Sequence, residues 1–228
     1  MRLNALIVAA GSSRRVGFDK LFAEIAGRPV IEHTIAAFEA AACVDQIVLV
    51  AQPAKIEQLR SLAAKFPKVH AVVPGGARRQ DSVRAGLAAM DEAAEFVAVH
   101  DAARPLICAE EIARVFAAAE KYGAAVLARA VTDTLKTADA QRFVTGSIDR
   151  AAVFAMQTPQ VFAHQTLLTA YDRVDRESLE ITDEVSAVQM LGIKVMIVPA
   201  EEENMKITFA PDLELAQLIL QQRKLSKG

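Results

Sequence analysis

The chain has 228 residues, 53% of them hydrophobic, which suits one large α/β domain or two small ones and is enough for a substantial core. Its 26 basic and 28 acidic side chains leave a formal net charge of −2, so no overall positive field exists to hold nucleic acid as the main role. The sequence has no stretch of membrane-spanning length, and its two cysteines, Cys43 and Cys108, match no metal-ligand spacing; two buried thiols in a reduced compartment are expected, in a soluble cytoplasmic protein.

In chain order, Leu3–Ala9 contains Asn4 and flows straight into a glycine turn, which predicts a buried first strand rather than a signal segment. The turn that follows runs Ala9-Ala10-Gly11-Ser12-Ser13-Arg14-Arg15-Val16-Gly17-Phe18-Asp19-Lys20. Small residues at the end of a buried strand let backbone N–H groups approach an anion, and Arg15 and Lys20 add positive charge beside it. A triphosphate cradle satisfies this pattern; so does an ordinary strand-to-helix turn with exposed basic residues. Neither G-x-x-x-x-G-K-[ST] nor G-x-G-x-x-G is present.

Helical periodicity covers Pro29–Ala41, strand character Gln46–Ala51, and helical periodicity again Pro53–Phe66, with Pro29 and Pro53 where a first turn tolerates proline. The strand Val69–Val73 leads into a second glycine loop, Pro74-Gly75-Gly76-Ala77-Arg78-Arg79-Gln80-Asp81-Ser82-Val83. Gly75 and Gly76 permit close backbone approach, and Ser82 suits either a helix cap or a ligand contact. A helix over Asp81–Met90 and a strand over Phe96–His100 come next, and the strand ends in His100-Asp101-Ala102-Ala103-Arg104-Pro105. Asp101 there suits a hydrated Mg²⁺, and Arg104 suits orienting that carboxylate or binding phosphate, while His100 reads as a hydrogen-bonded structural histidine.

A helix over Ala109–Lys121 and a strand over Ala124–Ala128 precede a change of rhythm. From Thr132 to Phe162 the helical period disappears and polar and β-branched residues alternate; a β-arm with a tip near Ala138–Arg142 is expected, as an insertion at about 133–158 in a single domain spanning 1–228. Helices over His164–Val174 and Asp183–Leu191, a strand over Lys194–Val198 and a last helix from near Pro211 complete the chain. The acids of Thr182-Asp183-Glu184 are ordinary dipole partners in a first turn. Lys206, after the acidic run Glu201-Glu202-Glu203, is either a solvated edge charge or a third cation for the phosphates. Strands alternating with helices imply a mostly parallel sheet covered on both faces, with ligands at the strands' carboxyl ends.

Together these loops resemble the 2-C-methyl-D-erythritol 4-phosphate cytidylyltransferases of the non-mevalonate isoprenoid pathway. The resemblance is carried in order by A-A-G-S-S-R-R at 9–15, G-G-A-R-R-Q-D-S-V at 75–83, H-D-A-A-R-P at 100–105, D-T-L-K at 133–136, Q-T-P-Q-V-F at 157–162, T-D-E at 182–184 and N-M-K-I-T at 204–208. It implies a Rossmann-like nucleotidyltransferase sandwich and transfer of a cytidylyl group from CTP to a polyol phosphate, with Mg²⁺ or another divalent cation. It matches Arg15, Lys20 and Lys206 to catalytic phosphate-binding cations. Ala9, Ala10, Gly11, Gly76, Ser82, Asp101, Ala102 and Arg104 match positions around CTP, with Asp101 on the metal directly or through water. Thr134, Arg150, Thr158 and Thr182 match positions near methylerythritol phosphate. The resemblance also implies a homodimer in which the arm brings Thr134 and Arg150 to the partner's site. Ribitol-5-phosphate cytidylyltransferases share most of these loops, and a non-catalytic nucleotide-binding protein on the same scaffold is a third reading.

Overall fold

Along β1 (Leu3–Ala9) successive side chains enter two different cores: Leu3, Ala5, Ile7 and Ala9 one, Leu6 and Val8 the other. That is the period-two pattern of a strand buried on both faces, and it sets the frame for the rest of the computed structural model, which describes residues 1–11, 19–91 and 93–225. A short pair, β2 (Glu24–Ile25) and β3 (Arg28–Pro29), precedes α1 (Val30–Ala40). Then come β4 (Val44–Ala51), α2 (Ile56–Ala63), β5 (Val69–Pro74), α3 (Arg79–Leu87), β6 (Phe96–Asp101), α4 (Ala109–Tyr122) and β7 (Ala124–Ala130). Pro53 opens a single 3₁₀ turn ahead of α2, and Pro29 closes β3, so both prolines stand at helix entrances as expected.

A hairpin of β8 (Leu135–Ala138) and β9 (Val144–Ile148) follows, and its tip is turned by Asp139, whose Oδ1 accepts the backbone N–H groups of Gln141 and Phe143 at 3.0 and 2.9 Å. The remaining elements are β10 (Phe154–Ala163), α5 (His164–Arg176), α6 (Glu184–Gln189), β11 (Met196–Pro199) and α7 (Pro211–Leu225).

Among the described residues, seven strands form one sheet in the order β11-β7-β10-β6-β1-β4-β5. All its neighbours run parallel except β10, which is antiparallel to both β6 and β7. This is the main departure from the expected layout: the segment from Phe154 onward is a strand of the main sheet, and the arm proper is the β8–β9 hairpin. Pro159 has no N–H to donate, and it falls in the stretch between Met156 and Gln160 where the β7–β10 register shifts, a place that accepts proline inside a sheet.

One layer against the sheet holds Ile31, Ile35 and Phe38 of α1, Leu59 of α2, and Ile112, Val115 and Phe116 of α4. The other holds Val83 and Leu87 of α3, Leu167, Tyr171 and Val174 of α5, and Val185 and Val188 of α6. Gly86 lets α3 lie close to the sheet, because a Cβ there would stand 2.1 Å from Leu6 Cδ1 and 2.8 Å from Val50 Cγ2. α4 ends on Gly123 in the left-handed conformation, φ +83°, whose N–H returns to the Ala119 carbonyl before β7 begins. No described helix is long and apolar enough to cross a membrane. Cys43 and Cys108 are half-buried rather than fully buried, and neither forms a disulfide.

Candidate active site

The order of strands reverses at β1: the chain passes outward through β4 and β5, then returns to place β6 on the other side of β1. The carboxyl ends of β1 and β6 therefore flank one switch-point crevice, where this class of sheet takes its ligands. β6 is buried along its whole length and delivers Asp101 to the crevice floor, the residue being only 9% exposed.

Three cations meet that carboxylate, two from distant segments and one from its own loop. Lys206 Nζ donates to Asp101 Oδ2 at 2.8 Å, Arg79 Nη2 lies 3.5 Å from Oδ1, and Arg104 Nε lies 3.7 Å from Oδ2. Burial opposes the charge on Asp101, but Lys206 and Arg79, with Arg104, outweigh it and hold the carboxyl well below the usual carboxylate range. Burial and repulsion from Arg79 lower the pKa of Arg104, against the attraction of Asp101. Its buried Nε lacks a hydrogen-bond partner, whereas Nη1 donates to the Asn204 carbonyl at 2.8 Å.

Asp101 is supported from behind. Its backbone N–H donates to Thr158 Oγ1 at 3.1 Å, and that hydroxyl also meets His100 Nδ1 at 3.0 Å. The Arg104 carbonyl, 3.3 Å from His100 Nε2, can only accept, so the neutral imidazole carries its proton on Nε2, and Nδ1 accepts from the Thr158 hydroxyl. Burial lowers the His100 pKa to about 3, overcoming the attraction of Asp101, so the ring is neutral. It packs at 4.9 Å against the Phe38 ring, in the structural role expected of it.

Lys20 Nζ donates to the Ile207 carbonyl at 2.8 Å, so Lys20 and Lys206 converge on one short segment. That segment has no regular backbone structure and is pinned by side chains. Glu111 accepts the N–H groups of Glu201 and Glu202, Arg223 donates to the Glu203 carbonyl, and Asn204 donates to the Gln157 side chain and the Thr158 carbonyl. Behind it, away from Asp101, lies a cavity of about 620 Å³ between α4 and α7, lined by Cys108, Arg114, Glu202, Ile219, Gln222 and Arg223.

The second glycine loop is shaped by space rather than by left-handed backbone. A Cβ on Gly75 would stand 2.3 Å from Ala10 Cβ, and one on Gly76 would stand 2.3 Å from Asp81 Cβ. Ser82 Oγ accepts the Gly76 N–H at 3.2 Å and donates to the Arg78 carbonyl at 3.1 Å, which ties the loop to α3. Ala9 ends β1, Ala10 just beyond it lies against Gly75, and a Cβ on Gly11 would meet nothing within 4 Å. Ala102, buried, donates its N–H to the Val8 carbonyl at 3.1 Å.

Of the residues singled out in the sequence, the structure gathers Lys20, Asp101, Arg104 and Lys206, with Thr158 directly behind Asp101. Arg15 lies outside the described residues. Thr182 is exposed ahead of Asp183, which caps α6 by accepting the Ser186 N–H. Thr134 and Arg150 are exposed at the base of the hairpin, where Arg150 Nη1 donates to the Thr132 carbonyl. Arg79, Glu184 and Asn204 were not singled out. Arg79 Nη1 and Nη2 pair with Glu184 at 2.6 and 2.9 Å, and only the quoted motifs G-G-A-R-R, T-D-E and N-M-K-I-T hinted at these three.

A switch-point crevice of a mostly parallel sheet, with cations converging on one ionised carboxylate beside two glycine loops, defines an α/β protein of the nucleotidyltransferase class. The family model of IspD, 2-C-methyl-D-erythritol 4-phosphate cytidylyltransferase, matches residues 3–222, and the chain belongs to that family. It is 37% identical over 228 residues to the 2-C-methyl-D-erythritol 4-phosphate cytidylyltransferase of Pelotomaculum thermopropionicum, covering 98% of this chain and 96% of that one. It is 40% identical to the bifunctional enzyme IspD/IspF of Desulfotalea psychrophila, of which it spans 58%. The crystal structure of 4-diphosphocytidyl-2C-methyl-D-erythritol synthase from Anaerococcus prevotii superposes with a TM-score of 0.86 at 29% identity, over 96% of this chain and 98% of that one.

Proposed function

We propose that this protein transfers the cytidylyl group of CTP to 2-C-methyl-D-erythritol 4-phosphate, giving 4-diphosphocytidyl-2-C-methyl-D-erythritol and pyrophosphate in isoprenoid precursor synthesis. The observation that carries this reading is the convergence of Lys20, Arg79, Arg104 and Lys206 on the crevice around Asp101, in a chain of the cytidylyltransferase family. A phosphate oxygen of the acceptor forms a bond to the α-phosphorus of CTP while the bond from that phosphorus to the departing pyrophosphate breaks. The nucleophile is already anionic, so no general base is required, and His100 is buried with both ring nitrogens engaged by Thr158 and the Arg104 carbonyl. The obstacle is repulsion between two polyanions. Lys20 and Lys206 are positioned to offset it and to stabilise charge growing on the leaving group, together with Arg15 of the first loop. Arg104, ion-paired to Asp101 through Nε and tied to the Asn204 carbonyl through Nη1, would hold that carboxylate in place on the nucleotide side of the crevice.

Mg²⁺ fits this donor set. Among the described residues no three His, Cys, Asp or Glu side chains converge on a common point, and Asp101 is one carboxylate kept ionised. One carboxylate plus substrate phosphates is the usual arrangement for Mg²⁺, which when bound neutralises part of the triphosphate charge. Asp101 would hold it, directly or through water.

The active unit in this reading is a homodimer formed through the β8–β9 hairpin, on which Phe143 and Val144 are 71% and 68% exposed. Thr134 and Arg150 would then serve the neighbouring subunit, and Thr158 and Thr182 the acceptor's side of the crevice. Two cysteines outside any disulfide suit a cytoplasmic setting. The test is pyrophosphate release from CTP and Mg²⁺ with methylerythritol 4-phosphate and ribitol 5-phosphate offered in parallel. Release with the first alone supports the assignment, and release with the second alone replaces the acceptor. Silence with both overturns it in favour of a nucleotide-binding protein without this activity.

A further inference from the structure

Behind the Asp101 cluster stands a charged layer that the transfer itself does not use. Glu184, at the start of α6, has no solvent exposure and accepts three hydrogen bonds: Arg79 Nη1 and the Tyr171 hydroxyl on Oε1 at 2.6 and 2.9 Å, and Arg79 Nη2 on Oε2 at 2.9 Å. The same Nη2 reaches Asp101 Oδ1 at only 3.5 Å. One guanidinium is thus shared between two carboxylates and seated on the deeper one. Stability is a poor explanation for this, since a buried ion pair is commonly matched by well-packed apolar residues of the same size.

The unequal distances give Glu184 a second effect. A guanidinium forks onto a carboxylate in pairs of parallel bonds, and Glu184 occupies that fork. Without its charge, Asp101 would be the nearest counter-charge left to Arg79, and the 3.5 Å contact would close into a pair. The two Asp101 oxygens would then be held by Arg79 and Lys206. We propose that Glu184, braced by Tyr171, is a positioning residue that holds Arg79 to a long 3.5 Å contact with Asp101 Oδ1, weak enough to give way to the cation that accompanies the nucleotide. This inference deepens the proposed cytidylyl transfer and rests on it for its purpose.

The test compares Glu184→Gln, neutral but of the same shape, and Tyr171→Phe, which removes one hydrogen bond, with the unaltered protein. CTP binding is titrated by calorimetry over a series of Mg²⁺ concentrations without acceptor, and thermal unfolding is followed in parallel. The Mg²⁺ concentration at half-maximal CTP binding is expected to rise about tenfold in Glu184→Gln and roughly two- to fivefold in Tyr171→Phe. Binding at saturating Mg²⁺ should stay close to that of the unaltered protein. Variants that melt earlier yet bind CTP with unaltered Mg²⁺ dependence overturn the proposal, as does CTP binding indifferent to Mg²⁺ in the unaltered protein. If Glu184→Gln does not fold, Tyr171→Phe decides alone by the same criterion. The binding readout needs no turnover, so an unaltered protein that binds CTP with Mg²⁺ but releases no pyrophosphate with acceptor defeats the functional assignment and leaves this inference to be judged on binding.

Discussion

Lys206 and Asp101 are 105 positions apart in the chain, yet the lysine ammonium donates to the aspartate carboxylate at 2.8 Å. The pair joins the end of a buried central strand to an irregular segment held largely by side chains and by one backbone bond from Ile207 to the Ala103 carbonyl at 2.8 Å. Lys206→Ala should lower kcat by roughly 10²-fold or more, the usual cost of one preorganised donor. It should also lower thermal stability, because Lys206 is the nearest cation to a buried carboxylate, with Arg79 and Arg104 left beside it at longer range. Steady-state kinetics beside a melting curve checks both halves, and near-normal turnover would remove Lys206 from the reaction.

Two glycines offer a contrast between site and core. Alanine at position 86 gains up to about 1 kcal/mol of helix propensity but overpacks a buried leucine, at a cost of about 1–3 kcal/mol. Gly86→Ala should therefore be net destabilising, because its Cβ would stand 2.1 Å from Leu6 Cδ1. At Gly75 the obstacle is the Cβ of Ala10, which has no rotamer to yield, so the two segments must part. Gly75→Ala should weaken CTP binding by about tenfold or more with a smaller loss of melting temperature. Calorimetry and unfolding of the two variants side by side decide whether the separation holds.

Acid should destabilise the fold through His33. Its Nε2 donates to the Ile25 carbonyl at 2.8 Å, and its Nδ1 accepts from Arg28 at 3.2 Å, an arrangement that requires a neutral ring. Burial lowers its pKa below the ordinary 6.5, and Arg28 adds to the effect against the pull of the Ile25 carbonyl. The unfolded chain therefore takes up a proton below about pH 6.5 that the folded chain refuses, and stability falls as the pH drops through that window. The slope from this group is at most about 1.4 kcal/mol per pH unit. Denaturant unfolding between pH 7 and 5 should show a flatter dependence in His33→Gln; an unchanged slope would assign the effect to other groups.

The hairpin residues allow a test of sharing between subunits. Arg150→Ala should raise KM for methylerythritol phosphate while sparing CTP. If Arg150 acts across the dimer, mixing Arg150→Ala with Lys206→Ala protomers creates mixed dimers in which one site has both residues intact. Recovery of roughly a quarter of the unaltered activity is expected after exchange. No recovery from two poorly active parents would place Arg150 in its own subunit's site.

The parallel half of the sheet is legible in the sequence because its strands are short apolar runs bounded by glycine and proline; β1 and β5 begin where the pattern puts them. β10 is not, since Gln157, Thr158, Pro159 and Gln160 interrupt any strand signal and only their buried contacts with β6, β7, Asn204 and α6 explain them. At the site, Lys20 and Lys206 stand out as charges beside glycine or apolar runs. Arg78 and Arg79 do not separate by sequence: the first pairs with Asp81 at the surface, the second with Glu184 from 105 positions away. Neighbouring identical residues diverge at a helix entrance because its turn points them in different directions, and the partner that decides between them is distant in sequence.

The antiparallel β10 also governs how the chain must come together. β6 and β7 follow one another in sequence but do not touch as strands, because β10 lies between them. During synthesis the first hundred residues can assemble β5, β4, β1 and β6, leaving β6 with an unpaired backbone edge until residue 163 has emerged. An open, apolar edge strand is a template for pairing with another chain. The interval between β6 and β10, filled by α4, β7 and the hairpin, is therefore the stretch of translation in which a nascent chain most needs shielding by chaperones.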